Sequence, residues 1–168
     1  MPPASPDLGA AAPNTSPRAL RQALGRFATG VTVVTTLARV GPVGMTANSF
    51  ASLSLDPPLV LWSPARASAR FQHFVAAQSY CIHVLAEDQQ DLASHFARNG
   101  FDFALPNLGQ GLNGTPLLPG CLARFECRRT ALHEGGDHMI MVGEILRSQW
   151  QEGRPLVFYG GRYGCYRA

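Results

Sequence analysis

Gly44-Met45-Thr46-Ala47-Asn48-Ser49-Phe50-Ala51-Ser52-Leu53-Ser54-Leu55-Asp56-Pro57-Pro58-Leu59-Val60 decides how this chain is read. A strand built only for packing favours Val, Ile and aromatic residues. Here small residues, hydroxyls and an amide fill positions that otherwise read as a strand. Small side chains let a backbone approach closely, and Thr46, Asn48, Ser49, Ser52 and Ser54 offer short donors. Such a surface suits a polar ligand. Asp56-Pro57-Pro58 then interrupts the ladder, because proline donates no hydrogen bond and restricts the residue before it.

Working outward, Ser16-Pro17 supplies a cap and a first-turn proline, and Leu20, Leu24 and Phe27 recur at helical spacing up to Thr29-Gly30. Val31 to Leu37 is a β-branched run, and Gly41-Pro42 turns it into the stretch quoted above. A short strand over Leu59–Trp62 follows. Helical spacing over 67–77 (Phe71, Phe74, Val75) and 88–97 (Leu92, Phe96) brackets a strand marked by Tyr80, Ile82 and Val84. Residues 99–119, rich in Gly, Pro and Asn, read as one long loop. Long strands over 121–132 and 137–149 join through Glu134-Gly135-Gly136, and a last strand occupies 156–166. Six or seven strands with inserted rather than alternating helices predict an antiparallel barrel. No G-x-G-x-x-G follows a strand, which argues against a Rossmann sheet.

Composition narrows the chemistry. The chain has 168 residues, enough for one domain burying about two-thirds of its unfolded surface. Residues 1–17, rich in Ala, Pro and Ser, lack a signal peptide's basic start and apolar core; they read as a disordered tail before a domain over 18–168. All 14 basic residues are arginine, so lysine Schiff-base and phosphate-loop chemistry are excluded. A net charge of +3 without a basic run points away from nucleic acid. Cys81, Cys121, Cys127 and Cys165 form neither a C-x-x-C pair nor a zinc pattern, and read as free thiols in a reducing cytoplasm. His73, His83, His95 and His133 lack metal-ligand spacing, so no metal is expected. No apolar run reaches membrane-spanning length, and the expectation is a soluble, cytoplasmic protein without membrane contact.

The quoted stretch closely resembles the flavin-binding signature of the flavin reductase-like family, whose fold is an FMN-binding split barrel. The resemblance runs from about Leu20 to Tyr166. Arg21–Thr36 resembles the family's opening helix and first strand, Gly136-Asp137-His138 its Gly-Asp-His motif, and Pro155–Tyr163 its closing strand. It implies a mainly β chain with inserted helices, folded as a six- or seven-stranded antiparallel split barrel. It also implies NAD(P)H:flavin oxidoreductase activity: hydride transfer from NADH or NADPH to FMN or FAD, with reduced flavin passed to a partner monooxygenase. Such chemistry requires little acid–base machinery, since the cofactors carry the reactive atoms. A homodimer with the flavin near the subunit boundary is implied as well. A non-catalytic FMN-binding electron carrier and a pyridoxine phosphate oxidase-like enzyme remain alternatives.

Matching motifs assigns roles. Thr46, Ala47, Asn48 and Ser49 resemble residues lining the flavin ring and ribityl chain, with Ser52 and Ser54 extending those contacts. Ser63, Ser68 and Arg70 stand where relatives hold the flavin phosphate, with Arg66 a further candidate; Ala69 departs from the hydroxyl residue of that pattern. Arg70 reads equally as a solvated helix arginine. His138 resembles the residue that meets the nicotinamide or the flavin edge, its ring oriented by Asp137 if the geometry of neighbouring strand residues allows. Tyr163 is placed to stack, and Arg162 is either a ligand contact or a surface ion-pair partner.

Overall fold

The computed structural model describes residues 16–167, so the expected tail lies outside the described residues except for Ser16 and Pro17. These two open helix α1 (Pro17–Leu24), where the Ser16 side chain accepts from the Ala19 amide at 3.3 Å. The helix ends at Gly25, earlier than its apolar spacing suggests, and Thr29–Gly30 forms a short strand, β1. There follow β2 (Thr32–Ala38), β3 (Gly41–Ala47), β4 (Ala51–Leu55), β5 (Pro58–Trp62), α2 (Phe71–Ala76), β6 (Ser79–Val84) and α3 (Gln90–Arg98). The chain closes with β7 (Gly109–Gln110), β8 (Pro116–Leu117), β9 (Ala123–Gly135), β10 (His138–Trp150), β11 (Leu156–Tyr159) and β12 (Arg162–Cys165).

Seven strands form one antiparallel sheet in the order β3-β2-β6-β9-β10-β5-β4. Its edges, β3 and β4, are separated in the chain only by Asn48-Ser49-Phe50. Four Cα steps span at most ~14 Å, whereas the edges of a flat seven-stranded sheet lie ~29 Å apart. The sheet must therefore curl until its edges nearly meet, and because β3 and β4 do not pair it stays open along that seam. This is the split barrel that the sequence predicts. A smaller sheet, β1-β11-β12, closes the end of the molecule on which α1 sits.

The core lies on both faces of the central strands. Val34, Val43, Trp62, Phe74, Tyr80 and Met141 pack in one cluster, and Val33, Leu85, Phe96, Leu118 and Leu156 in another. Val33 and Val34 belong to different clusters, as the two-residue period of a strand buried on both faces requires. His83 is fully buried among them. Its Nδ1 lies 3.0 Å from Val33 O, and its Nε2 accepts the Leu118 amide at 3.1 Å. This fixes the Nδ1–H tautomer, and burial pushes the imidazole down to about 4. Burial likewise raises the Cys127 thiol to about 12 and Cys121 to about 11, so both are protonated and unreactive at neutral pH.

Three expectations require correction. The part of the quoted stretch before Asp56 is two strands rather than one, because Asn48–Phe50 crosses the seam, and β5 begins already at Pro58. The last strand is a hairpin, folded about Gly160 and Gly161 at φ 57° and 81°. The loop at 99–119 carries the β7–β8 ladder. Its Gly109, Gly111 and Gly114 have dinucleotide-fingerprint spacing but open no α-helix, and the Glu126 carboxylate already accepts the Leu112 amide at 2.7 Å. An acid there repels phosphate.

Candidate functional site

The seam crossing, the β11–β12 hairpin and α1 meet around a continuous groove. Its inner end, about 180 Å³, is lined by Val31, Thr46, Ala47, Asn48, Phe158 and Tyr163 among others. A larger part, about 690 Å³, lies between Leu24, Phe27, Thr29, Asn48, Phe158 and the Gly160-Gly161 turn. Asn48 and Phe158 border both, so the two run together. A mostly apolar cleft of this size with a few placed polar groups is the usual form of a small-molecule site. One of those groups is Thr29 Oγ1, which is buried without a hydrogen-bond partner. An orphaned buried hydroxyl costs about 1–3 kcal/mol, and Thr29 Oγ1 shares this state with Trp62 Nε1, Tyr80 OH and Arg124 Nε; among them only Thr29 belongs to a residue lining the groove, which makes it a candidate ligand contact.

The quoted stretch divides its labour. Gly44 does not face the groove: a Cβ there would come within 2.5 Å of the Phe96 ring, so its bareness admits α3. Thr46 Oγ1 donates to Ala93 O at 2.6 Å, tying β3 to the same helix. Ser49 Oγ accepts from the Ser63 amide at 2.9 Å and donates to Ser63 O at 3.2 Å, extending the β4–β5 pairing beyond Ala51 and Leu61. Ala47 and exposed Asn48 are left to the groove, with the main chain at Thr46. Ser52 and Ser54 lie on edge strand β4, against Val60 and Leu59, and do not line the groove.

The segment after β5 is bound to the β9–β10 turn. Met139 N donates to Pro64 O at 3.1 Å and Arg66 N to Asp137 O at 2.9 Å. The Arg66 side chain donates to Gly136 O at 3.1 Å and pairs with Glu134. Ser68 Oγ accepts from the Arg70 amide and from Arg70 Nε at 3.2 Å. The rest of the Arg70 guanidinium caps α3, donating to Phe96 O at 2.5 Å and to Ala97 O at 3.4 Å, and burial lowers its pKa. Of the two readings of Arg70, neither a solvated arginine nor a free phosphate ligand describes it: its donors hold a helix end. His138 opens β10 with its Nδ1 2.7 Å from Asp137 Oδ1. Asp137 can reach its neighbour's ring because Gly136-Asp137 is a two-residue turn, outside the strand alternation. The His138 bond and charge, with a smaller effect from Arg21, hold the Asp137 carboxyl below its ordinary range. Arg21 lines the groove, whereas Asp137 and His138 do not.

A match to the flavin reductase like domain spans residues 24–166. The chain belongs to this family. It is 56% identical over 151 residues to an FMN reductase (NADH) from Agrobacterium fabrum, covering 89% of this chain and 86% of the relative. It is 40% identical over 159 residues to the reductase subunit of a flavin-dependent monooxygenase from Rhodococcus jostii, covering 94% and 82%. The solved structure of a Streptomyces globisporus NADH:FAD oxidoreductase in complex with NAD and FAD fragments superposes with a TM-score of 0.83 at 39% identity, covering 88% of this chain and 91% of that one.

The groove of this flavin reductase family member fits a flat, mostly apolar ring bearing hydrogen-bonding edges. Phe158 and Tyr163, with ring centroids 5.4 Å apart, form one wall, and burial raises the Tyr163 hydroxyl pKa. Arg162 is exposed and forms no ion pair among the described residues. Leu24, Phe27, Thr29, Phe158 and Gly160 line the groove without having been singled out from sequence. The paired glycines of the closing motif were the available signal. Leu24 and Phe27 carried none, because apolar spacing on a helix looks the same whether it faces a core or a ligand.

Proposed function

We propose that the protein is an NADH-dependent flavin reductase that binds FMN or FAD in the groove and supplies reduced flavin to a flavin-dependent monooxygenase. The observation that carries this reading is the orphaned Thr29 hydroxyl in an apolar groove walled by Phe158 and Tyr163, in a chain 56% identical to an FMN reductase (NADH). When bound, the flavin supplies the hydride-accepting ring. Thr29, Asn48 and the main chain at Thr46 and Ala47 hold its polar edge, and Phe158 and Tyr163 shield the reaction from water. Ser63 and Ser68 lie outside the lining of the groove; as candidates for the flavin phosphate, the Ser68 oxygen accepts from Arg70, which leaves its hydroxyl proton to donate. His138, its Nδ1 held by Asp137, turns Nε2 toward the nicotinamide amide and positions its ring for transfer. A catalyst of this kind moves no proton through the protein.

The reading includes a homodimer. Leu24 and Phe27 are 65% and 78% exposed beside the groove, and no residue of α1 is fully buried. A second copy laid over that stripe covers it and walls the groove. No helix among the described residues is long and apolar enough to cross a membrane, and a requirement for NADH supports a cytoplasmic location. NADH oxidation measured with added FMN and then FAD tests the activity. Turnover with neither flavin refutes it, and colour without turnover favours the electron-carrier alternative. A stable, flavin-binding monomer by light scattering refutes the dimer.

A further inference from the structure

Beyond its apolar part, the groove opens into a third cavity of about 280 Å³ that shares Arg21, Gly25, Gly160 and Gly161 with it and adds Arg18 and Arg26. Arg21, in the last turn of α1, complements the helix dipole, but the stability of α1 does not explain Arg18. The first turn of α1 has no acidic residue and carries Arg18, where the helix dipole disfavours a cation. Arg18 and Arg21, three residues apart, share a helix face and repel each other. Neither forms an ion pair among the described residues. Asp137 senses Arg21, but its carboxylate bonds His138. Arg26 reaches only the Tyr159 hydroxyl at 3.4 Å and lies over that ring at 5.8 Å. Opposite them, a Cβ at Gly160 or Gly161 would meet nothing within 4 Å, so the turn presents bare backbone to the space. Three guanidiniums that form no ion pair among the described residues, around a cavity continuous with a ligand groove, are what an oligo-anion requires.

We propose that Arg18, Arg21 and Arg26 form an anion subsite for the diphosphate–adenylate half of a dinucleotide whose ring end lies in the apolar groove. This rests on the flavin reductase reading. The subsite adjoins the larger cavity through Arg21, Gly25, Gly160 and Gly161, so a ligand longer than a mononucleotide is the one to reach it. It therefore distinguishes NADH from reduced nicotinamide mononucleotide, or FAD from FMN, by the second phosphate.

The test uses Arg18→Ala/Arg21→Ala and the charge-keeping Arg18→Lys/Arg21→Lys, both at exposed positions, with melting temperature as the check on folding. Steady-state KM for NADH and for reduced nicotinamide mononucleotide, and Kd for riboflavin, FMN and FAD, are measured at two salt concentrations. The expected result is a loss of roughly ten- to a hundredfold for one dinucleotide in the alanine variant. The matching mononucleotide and riboflavin stay within severalfold, the lysine variant recovers part of the loss, and the salt dependence weakens. Whether NADH or FAD carries the loss identifies the occupant. Equal losses for FMN and FAD place the arginines at the first phosphate and overturn the proposal, as do unchanged constants throughout. A parent protein that neither binds flavin nor oxidises NADH instead refutes the reductase reading itself.

Discussion

Thr29→Val asks the groove whether it awaits a ligand. Valine keeps the shape of threonine and removes only the hydroxyl, which is buried without a partner. In the free protein an orphaned hydroxyl costs about 1–3 kcal/mol, so its removal stabilises the fold by about 1 kcal/mol. For a domain of this size that raises Tm by ~2–4 °C. In the complex the same hydroxyl has a flavin atom to bond, and losing it costs about 0.5–1.5 kcal/mol, roughly two- to twelvefold in Kd. The substitution therefore moves stability and affinity in opposite directions. Thermal unfolding of the flavin-free protein and quenching of flavin fluorescence, on one preparation, read both. A variant with a lower Tm and unchanged flavin Kd would refute the assignment and make Thr29 an ordinary wall residue.

Ser49→Ala removes both bonds to Ser63 and is expected to cost about 1–3 kcal/mol of stability with flavin affinity nearly unchanged, whereas Asn48→Ala keeps the melting temperature and weakens flavin binding about fivefold. The reverse pattern in melting and titration would exchange their roles. His138→Ala is expected to keep flavin affinity within severalfold while kcat/KM for NADH falls roughly ten- to a hundredfold, or ~1.4–2.7 kcal/mol. A destabilised variant with the parent's stopped-flow reduction rate would make the ring structural. His83 predicts a pH dependence of stability: its folded pKa, about 4, lies below the ordinary value of 6.5. The stabilisation is complete above pH 6.5, falls as the unfolded chain takes up its proton, and reaches a loss of about 3 kcal/mol near pH 4. Urea titrations of the parent and His83→Leu between these limits check it, the variant being expected to lose the slope.

The sequence reveals the barrel because its signals are local. Alternating runs, the break at Asp56-Pro57-Pro58 and glycine turns are properties of neighbours. What crosses the sheet was not legible. Gly44, Thr46 and Ser49 look like ligand contacts because ligand binding and close packing use the same residues: bare backbone, small side chains and short donors. Only the approach of Phe96, Ala93 and Ser63 shows that here they serve packing. Arg70 is the same case, since a buried guanidinium holds a helix end as readily as a phosphate. Asp137 is the opposite case: its bond to the His138 ring, expected from the motif, is present at 2.7 Å, because the turn extends through Asp137 and β10 begins one residue later than expected.

Helix α1 joins these themes. It has eight residues, none buried, and helices this short are marginal in water. Its hold on the rest of the chain includes the Gly160 amide on Gly25 O at 3.0 Å and Arg26 on Tyr159, both at the β11–β12 turn. Yet α1 contributes Leu24 to the groove wall and Arg18 and Arg21 to its outer end. An element with no fully buried residue gains stability from what docks against it, so under the proposed reading a ligand lying along Leu24 stabilises α1, and α1 is expected to gain order when the groove is filled.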